Sequence, residues 1–264
     1  MTTAKMTTKA GAAHVQPTVR KIQPADLKEA LAKGFDDFKA MPSHLILLVF
    51  IYPIVCLVLV RLFFGYDVLP LLFPLISGFA LIGPLAAVGL YEMSRRREKG
   101  LDVSWRHAFD IIRSPSIRNV IGLGLMQLAV YLIWLSAARV IYLMAFGNWV
   151  PTSITEFTTQ VFTTTAGWTL MIVGCGVGAV FAAFVLAISA VSFPMLVHRD
   201  VSPLLAVQMS IKAALENPVT MVIWGIIVAV LLGIGTLPFF VGLAVVMPIL
   251  GHATWHLYRK VIEI

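Results

Sequence analysis

The sequence predicts an all-α fold, a polytopic bundle of six transmembrane helices with amphipathic helices at one membrane interface. Of its 264 residues, 59% are hydrophobic and only 12% are charged. Soluble domains have about 45–50% apolar and about 25% charged residues. The apolar residues also fall in runs long enough to cross the hydrocarbon core as helices. The bilayer is therefore the expected solvent for most of the chain.

Six apolar segments predict the spans, because a helix pairs all of its own backbone groups inside lipid. They cover residues 44–64, 68–91, 119–146, 168–197, 218–237 and 238–257. The last two share one apolar stretch. We divide it at GIGTLPFF, where Gly233, Gly235 and Pro238 permit a tight turn.

The basic residues predict the orientation. They cluster before the first span, between spans two and three, between spans four and five, and after span six, whereas the loop GNWVPTSITEFTTQVFTTT has none. The positive-inside rule then places both termini of a multi-pass membrane protein in the cytoplasm. This topology explains the net charge of +7 without a nucleic-acid partner. The expected partners are the lipid bilayer and other membrane-protein subunits.

An amphipathic helix is predicted before each pair of spans, with apolar residues at helical spacing. The first has Leu27, Leu31, Phe35 and Phe38, the second Ala108, Ile111 and Ile112, and the third Leu204, Leu205, Ile211 and Leu215. Ser104 and Ser202 are the predicted N-caps of the second and third helices, and Pro203 suits a first helical turn.

The second and third of these helices align without a gap. DVS at 102–104 matches DVS at 200–202, Ala108 matches Ala206, and Asn119 matches Asn217. We predict a three-fold internal repeat, with units at about 25–98, 99–197 and 198–264, in one membrane domain (25–264) after a flexible cytoplasmic tail (1–24). The alternative is that interfacial helices resemble one another by composition alone.

Three stretches carry a family resemblance. They are FDDFKAMP before the first span, FPMLVHRDVSPLLAVQMS, and the terminal PILGHATWHLYRK. On these residues the chain resembles the uncharacterised bacterial integral membrane family DUF2189 over nearly everything after about residue 25. The resemblance implies a six-span inner-membrane protein and no established activity.

Histidines at the predicted cytoplasmic boundary form the first candidate site. His198 ends span four, His252 and His256 lie four apart at the end of span six, and Glu92 ends span two. If the even-numbered spans surround one axis, these four side chains converge as a ligand or proton site. His252 and His256 are then candidate ligands for a divalent metal or haem, or proton carriers. The alternative is interfacial histidines that hydrogen-bond to headgroups or helix caps.

Two arginines form a second candidate. Arg61 and Arg139 lie in the outer halves of spans one and three. They predict either an outer anion site or side chains that extend to the interface toward Asp67 or Glu156. Gln127, in the middle of a span, is expected to hydrogen-bond to a neighbouring helix.

No catalytic motif appears, so we do not expect an enzyme, and no cofactor is predicted. The favoured function is a non-enzymatic accessory or scaffold protein of a membrane complex. One alternative is a small transporter or channel with a site between repeats. The other is a metal- or haem-binding redox protein that uses the cytoplasmic-side histidines.

Overall fold

The computed structural model describes residues 17–41, 69–237 and 240–263, apart from the Phe79 side chain. The regular secondary structure of this part is helical except for one short pair of strands. The elements are β1 (Thr18–Val19), α1 (Pro24–Ala40), α2 (Leu69–Ala86), α3 (Val88–Glu98), a 3-10 helix (Trp105–Arg113), α4 (Ile117–Phe146), α5 (Ile154–Thr163), α6 (Thr165–Ser189), α7 (Ser192–His198), α8 (Pro203–Glu216), α9 (Pro218–Thr236), α10 (Leu243–Val261) and β2 (Ile262–Glu263).

Four helical segments among these residues are long and apolar enough to cross a membrane. They are Leu69–Glu98 (α2 with α3), Ile117–Phe146 (α4), Thr165–His198 (α6 with α7) and Pro218–Thr236 (α9). They correspond to predicted spans two to five. Predicted span one lies outside the described residues. Helix α10 covers most of predicted span six but is not among the four.

The division of the last apolar stretch is confirmed. Helix α9 ends at Thr236 and α10 begins at Leu243. Between them Phe240 has a φ of 66°, a left-handed conformation typical of turns. The loop predicted at 147–165 contains the short helix α5, whose N-cap Ser153 accepts a hydrogen bond from the Glu156 amide.

The ends of three helices meet at one end of the bundle. Helices α3, α7 and α10 contact one another there, and α1 packs along α10. A large apolar core fills this region and includes the buried aromatic rings of Tyr91, Phe193, Trp224, Trp255 and Tyr258. We call α1, α3, the 3-10 helix, α7, α8 and α10 the cap. A smaller core lies between α2, α4 and α6 around Trp134.

The amphipathic helices pack against the protein mainly through small residues. Helix α1 buries Leu27, Ala30, Gly34 and Asp37, whereas Phe35 is 47% exposed. Helix α8 buries Ala206, Met209, Ser210 and Ala213, and leaves Leu204 and Leu215 exposed. Ala108 and Ile111 are buried in the 3-10 helix, but Ile112 is exposed. Small residues allow this close helix packing, and several large apolar residues of the predicted stripes stay exposed within the described part of the chain.

Two asparagines hold the backbone that leads into a cap helix. The Asn119 side chain, at the start of α4, donates to the Val201 carbonyl beside the α8 N-cap. The Asn217 side chain, before α9, donates to the Arg20 carbonyl and accepts from the Ile22 amide, 2.8 Å away, beside the start of α1. Ser104 and Ser202 lie at N-caps as predicted. The two matched asparagines therefore make matched contacts.

The two ends of the described chain are paired. Strand β1 pairs antiparallel with β2, Thr18 opposite Glu263 and Val19 opposite Ile262. The Arg20 guanidinium also forms an ion pair with the Glu263 carboxylate. Residues 18–20 of the predicted tail are thus held against the C-terminal segment, and residues 1–16 lie outside the described part.

Candidate functional site

The close contact between α1 and α10 positions the candidate site. A β-carbon added to Gly34 would lie 2.6 Å from the backbone nitrogen of Ala253 and 2.7 Å from the Ile249 carbonyl oxygen. Real side chains do not approach so closely, so only glycine fits at this crossing. The absence of a side chain brings the next turn of α1, with Asp37, against the histidine face of α10.

Asp37 is the centre of a buried polar network. Its Oδ2 accepts hydrogen bonds from Ser94 Oγ at 2.6 Å and from His256 Nε2 at 2.9 Å. Its Oδ1 accepts from the Arg97 guanidinium. His252, which is fully buried, places Nδ1 2.8 Å from Ser94 Oγ and 4.0 Å from Asp37 Oδ2. One carboxylate therefore connects both terminal histidines to α3.

The proton positions depend on the tautomer of His252. Ser94 has one hydroxyl hydrogen, and both Asp37 Oδ2 and His252 Nδ1 lie within hydrogen-bond distance of its oxygen. His252 also contacts the Leu90 backbone, so the imidazole tautomer decides whether Nδ1 donates to Ser94 or accepts from it. Burial raises the pKa of Asp37, but the hydrogen bonds from His256 and Ser94 outweigh it and lower that pKa below its ordinary value.

The other predicted site residues have separate partners. His198 Nδ1 lies 2.9 Å from the Tyr258 hydroxyl, and its ring meets Trp255 edge-on at 5.6 Å. The Glu92 carboxylate, almost fully buried, receives two hydrogen bonds of 2.7 Å from Arg95. The structure thus joins His252 and His256 through Asp37, whereas the contacts of Glu92 and His198 lie elsewhere in the cap.

Sequence reasoning missed Asp37, Ser94 and Arg97. The available signal was the spacing of Leu27, Ala30, Gly34 and Asp37 in α1, which repeats at three and four residues. We gave weight to the larger residues Leu31, Phe35 and Phe38 instead. An aspartate on a face lined by alanine and glycine indicates a close helix contact in which the carboxylate is buried.

A pocket of about 350 Å³ lies beside this network. Its wall is formed by Lys33, Asp37, Arg97, Glu98, His256, Arg259 and Lys260. Lys260 Nζ lies 3.0 Å from Asp26 and 2.7 Å from Glu29. Hydrogen bonds from Lys260 and Lys33 lower the pKa of Glu29 to about 2. Arg259 donates to Glu98 at 2.9 Å, and the Trp255 indole donates to the other oxygen of Glu98 at 3.0 Å.

Within the described residues, no group of three or more His, Cys, Asp and Glu side chains is arranged to hold a metal ion. The two α10 histidines each have a nitrogen engaged by Ser94 or Asp37. Their suggested role as metal or haem ligands stays a prediction.

Of the outer arginines, Arg61 lies outside the described residues. The exposed Arg139 places its guanidinium 5.8 Å from the centre of the Tyr142 ring. Glu156 instead accepts from the Thr152 amide at 2.8 Å. The buried Gln127 side chain donates to the Leu81 carbonyl of α2, which confirms the expected contact between helices.

Comparison with known families adds one match. Residues 72–198 match the model of a family described as predicted integral membrane proteins. The matched family is DUF2189, to which the chain is similar over these residues. The chain is an integral membrane protein. The match confirms the resemblance seen in the sequence. No curated protein and no solved structure matches the chain at a significant level.

The DUF2189 match covers only part of the candidate site. It includes α2 to α7 and therefore Glu92, Ser94, Arg97 and His198. Helices α1 and α10, with Asp37, His252 and His256, lie outside the matched range. The stretches FDDFKAMP and PILGHATWHLYRK thus support the resemblance only through their own sequence.

Proposed function

We propose that this protein is a non-enzymatic accessory or scaffold protein of a membrane complex. The observation that carries the proposal is the internal pairing of the candidate site. Asp37, Ser94, Arg97, His252 and His256 bond to one another and clamp α1 onto α10. Side chains in such a closed network stabilise one arrangement of helices, whereas a catalytic site presents its polar groups to a substrate.

The exposed surface of α6 inside the membrane supports contact with a partner subunit. In the most apolar part of Thr165–His198 only 11% of the residues are buried within the described chain. Small residues lie on one exposed line of α6, namely Gly176, Ala179 and Ala183. Small residues let another helix approach closely in lipid. By contrast, the exposed line of α9 has the larger Val222, Ile226 and Val230, which suit lipid chains.

Photo-crosslinking in native membranes tests this function. A photoreactive amino acid replaces Ala179 on the small line, and Ile226 on the large line serves as the matched control. We expect the Ala179 probe to give a discrete adduct with another protein and the Ile226 probe to give lipid adducts. A cross-link within the same chain, for example to residues 44–64, leaves the mass unchanged. Lipid-only or intrachain products at Ala179 would contradict the proposal.

The proposed architecture has six spans and a three-fold repeat. The contacts of Asn119 and Asn217 support it. Asn119 of the second unit holds the backbone before α8 of the third unit, and Asn217 of the third unit holds the backbone before α1 of the first unit. We also propose that the cap faces the cytoplasm of the bacterial inner membrane, which agrees with the basic residues Arg95–Arg97, Arg259 and Lys260 in the cap. A fluorescent-protein fusion after Glu263 should be fluorescent, and an alkaline phosphatase fusion there should be inactive.

A transporter of protons is the second candidate, and one observation favours it. His256, Asp37, Ser94 and His252 form a continuous hydrogen-bonded chain from the pocket to a fully buried imidazole. Such chains can relay protons. In proteoliposomes with an internal pH dye, wild-type protein should then carry proton flux that His252→Gln abolishes. Equal flux for the two proteins would exclude a relay through His252.

A further inference from the structure

We infer that the pocket beside Asp37 binds a phosphate-type anion, either free in the cytoplasm or as an anionic lipid headgroup. The inference rests on which hydrogen-bonding groups of the pocket wall are already used. It goes beyond the proposed scaffold function and does not depend on it.

The acceptors of the pocket are occupied. Asp37 Oδ2 accepts from Ser94 and His256, and Oδ1 accepts from Arg97. Glu98 accepts from Arg259 with one oxygen and from Trp255 with the other. Both carboxylates are thus engaged by protein donors. A cation entering the pocket would meet two carboxylates that are each already paired with an arginine.

The donors of the pocket are largely unused. A guanidinium carries five N–H groups. Within the described residues, Arg97 and Arg259 each use one such group in a hydrogen bond. Arg97 is 41% exposed and Arg259 35% exposed, so the remaining N–H groups are accessible from the pocket. Lys260 pairs with Asp26 and Glu29, and Lys33 pairs with Glu29. Their charges are balanced locally, so the unused guanidinium N–H groups would hold the ligand.

This arrangement matches the chemistry of a phosphate group. Two planar guanidinium groups can each donate paired hydrogen bonds to phosphate oxygens. The pocket volume of about 350 Å³ is at the lower end for small-ligand sites. Basic pockets at the cytoplasmic ends of membrane helices also bind anionic headgroups. A phosphomonoester or phosphodiester is therefore the ligand class that fits.

Binding can be measured with the full-length protein in a neutral detergent, using intrinsic tryptophan fluorescence and thermal stability at constant ionic strength. The probes are inorganic phosphate, short-chain phosphatidylglycerol and short-chain phosphatidylcholine. Saturable binding of phosphate and phosphatidylglycerol identifies a free phosphate group as sufficient. Saturation by phosphatidylglycerol alone identifies the lipid headgroup. No saturable binding of either probe would overturn the inference.

Three variants separate the pocket from general charge effects. Arg259→Gln should weaken binding at least tenfold. Arg97→Lys keeps the positive charge beside Asp37 but removes the planar guanidinium group and its paired N–H donors. It should therefore also weaken binding while the protein stays folded. Arg113→Gln removes an exposed arginine of the 3-10 helix outside the pocket wall, and it should bind like the wild type. Equal losses in Arg113→Gln and Arg259→Gln would show nonspecific attraction and refute the site.

Discussion

The backbone of Gly34 in α1 lies against Ala253 in α10, with no space for a side chain between them. This contact brings together two helices that are far apart in sequence, and Asp37 and His256 then meet across the same interface. The arrangement of the cap therefore depends on a residue that takes no part in its polar chemistry.

Gly34→Ala should destabilise the cap. The added methyl group would lie 2.6 Å from the Ala253 nitrogen, so α1 must move away from α10. We expect a loss of about 1–3 kcal/mol, the usual cost of overpacking, measured as a lower thermal midpoint in detergent. Gly100 is unsuitable as a control, because its φ of 67° would strain an alanine even though it has open space around it. Gly122, on α4, has open space and an ordinary φ, so Gly122→Ala is the matched control and should keep or slightly raise the midpoint, because alanine favours the helix.

Asp37→Asn should cost more stability than Asp36→Asn, although the two aspartates are adjacent. Asp37 is 5% exposed at its side chain and accepts from three partners. The amide provides one acceptor oxygen instead of two, so we expect a loss of about 1–3 kcal/mol. Asp36 is 58% exposed and pairs with Lys39, and its change should stay within about 0.5 kcal/mol. Similar midpoints for the two variants would contradict a structural role for Asp37.

The stabilisation from Asp37 should persist into mildly acidic solution. Burial opposes ionisation of Asp37, but its hydrogen bonds from His256 and Ser94 lower the folded-state pKa below the ordinary 3.8. A lowered pKa stabilises the fold above the unfolded pKa, and this contribution is lost as the pH falls through the folded value. The midpoint difference between wild type and Asp37→Asn should hold down to about pH 4 and shrink below it. A difference that already vanishes near pH 6 would show a raised pKa instead.

Asn217→Ala should release the segment before α1. The change leaves the Ile22 amide without its acceptor and the Arg20 carbonyl without its donor, at a cost of about 1–3 kcal/mol. Hydrogen exchange should accelerate at Ile22 and in the first turn of α1. Asn119→Ala is the paired variant and should instead loosen the backbone around Val201. Identical exchange patterns for the two variants would argue against matched roles in a repeat.

Much of the membrane fold follows from apolar periodicity alone. Spans two to five were predicted because long apolar runs separated by polar loops leave few alternatives in lipid. The end of α3 was missed, since the helix continues past Tyr91 to Glu98 through the basic run Arg95–Arg97. Arginines in the last turn of a helix stabilise its C-terminal end, so polarity did not mark the boundary there.

The candidate site was predictable only on one side. Two histidines four apart in α10 pointed to a common face. Their partner Asp37 is 219 residues away from His256 in sequence, and no local pattern indicates that pairing. His198 was expected with them, but it meets Tyr258 on another face of α10. The prediction that the ends of α3, α7 and α10 meet was therefore not enough to predict which side chains are in contact.

The contact between α1 and α10 implies an order of folding events during biosynthesis. At about 5–20 residues per second, more than ten seconds separate the emergence of α1 from that of the helix that covers it. During this time Gly34 and Asp37 have no packing partner from α10. Because α1 is amphipathic, the nascent helix can bind at the membrane interface during this time. The cap therefore reaches its packed arrangement only after α10 has been synthesised, well after α1 has left the ribosome.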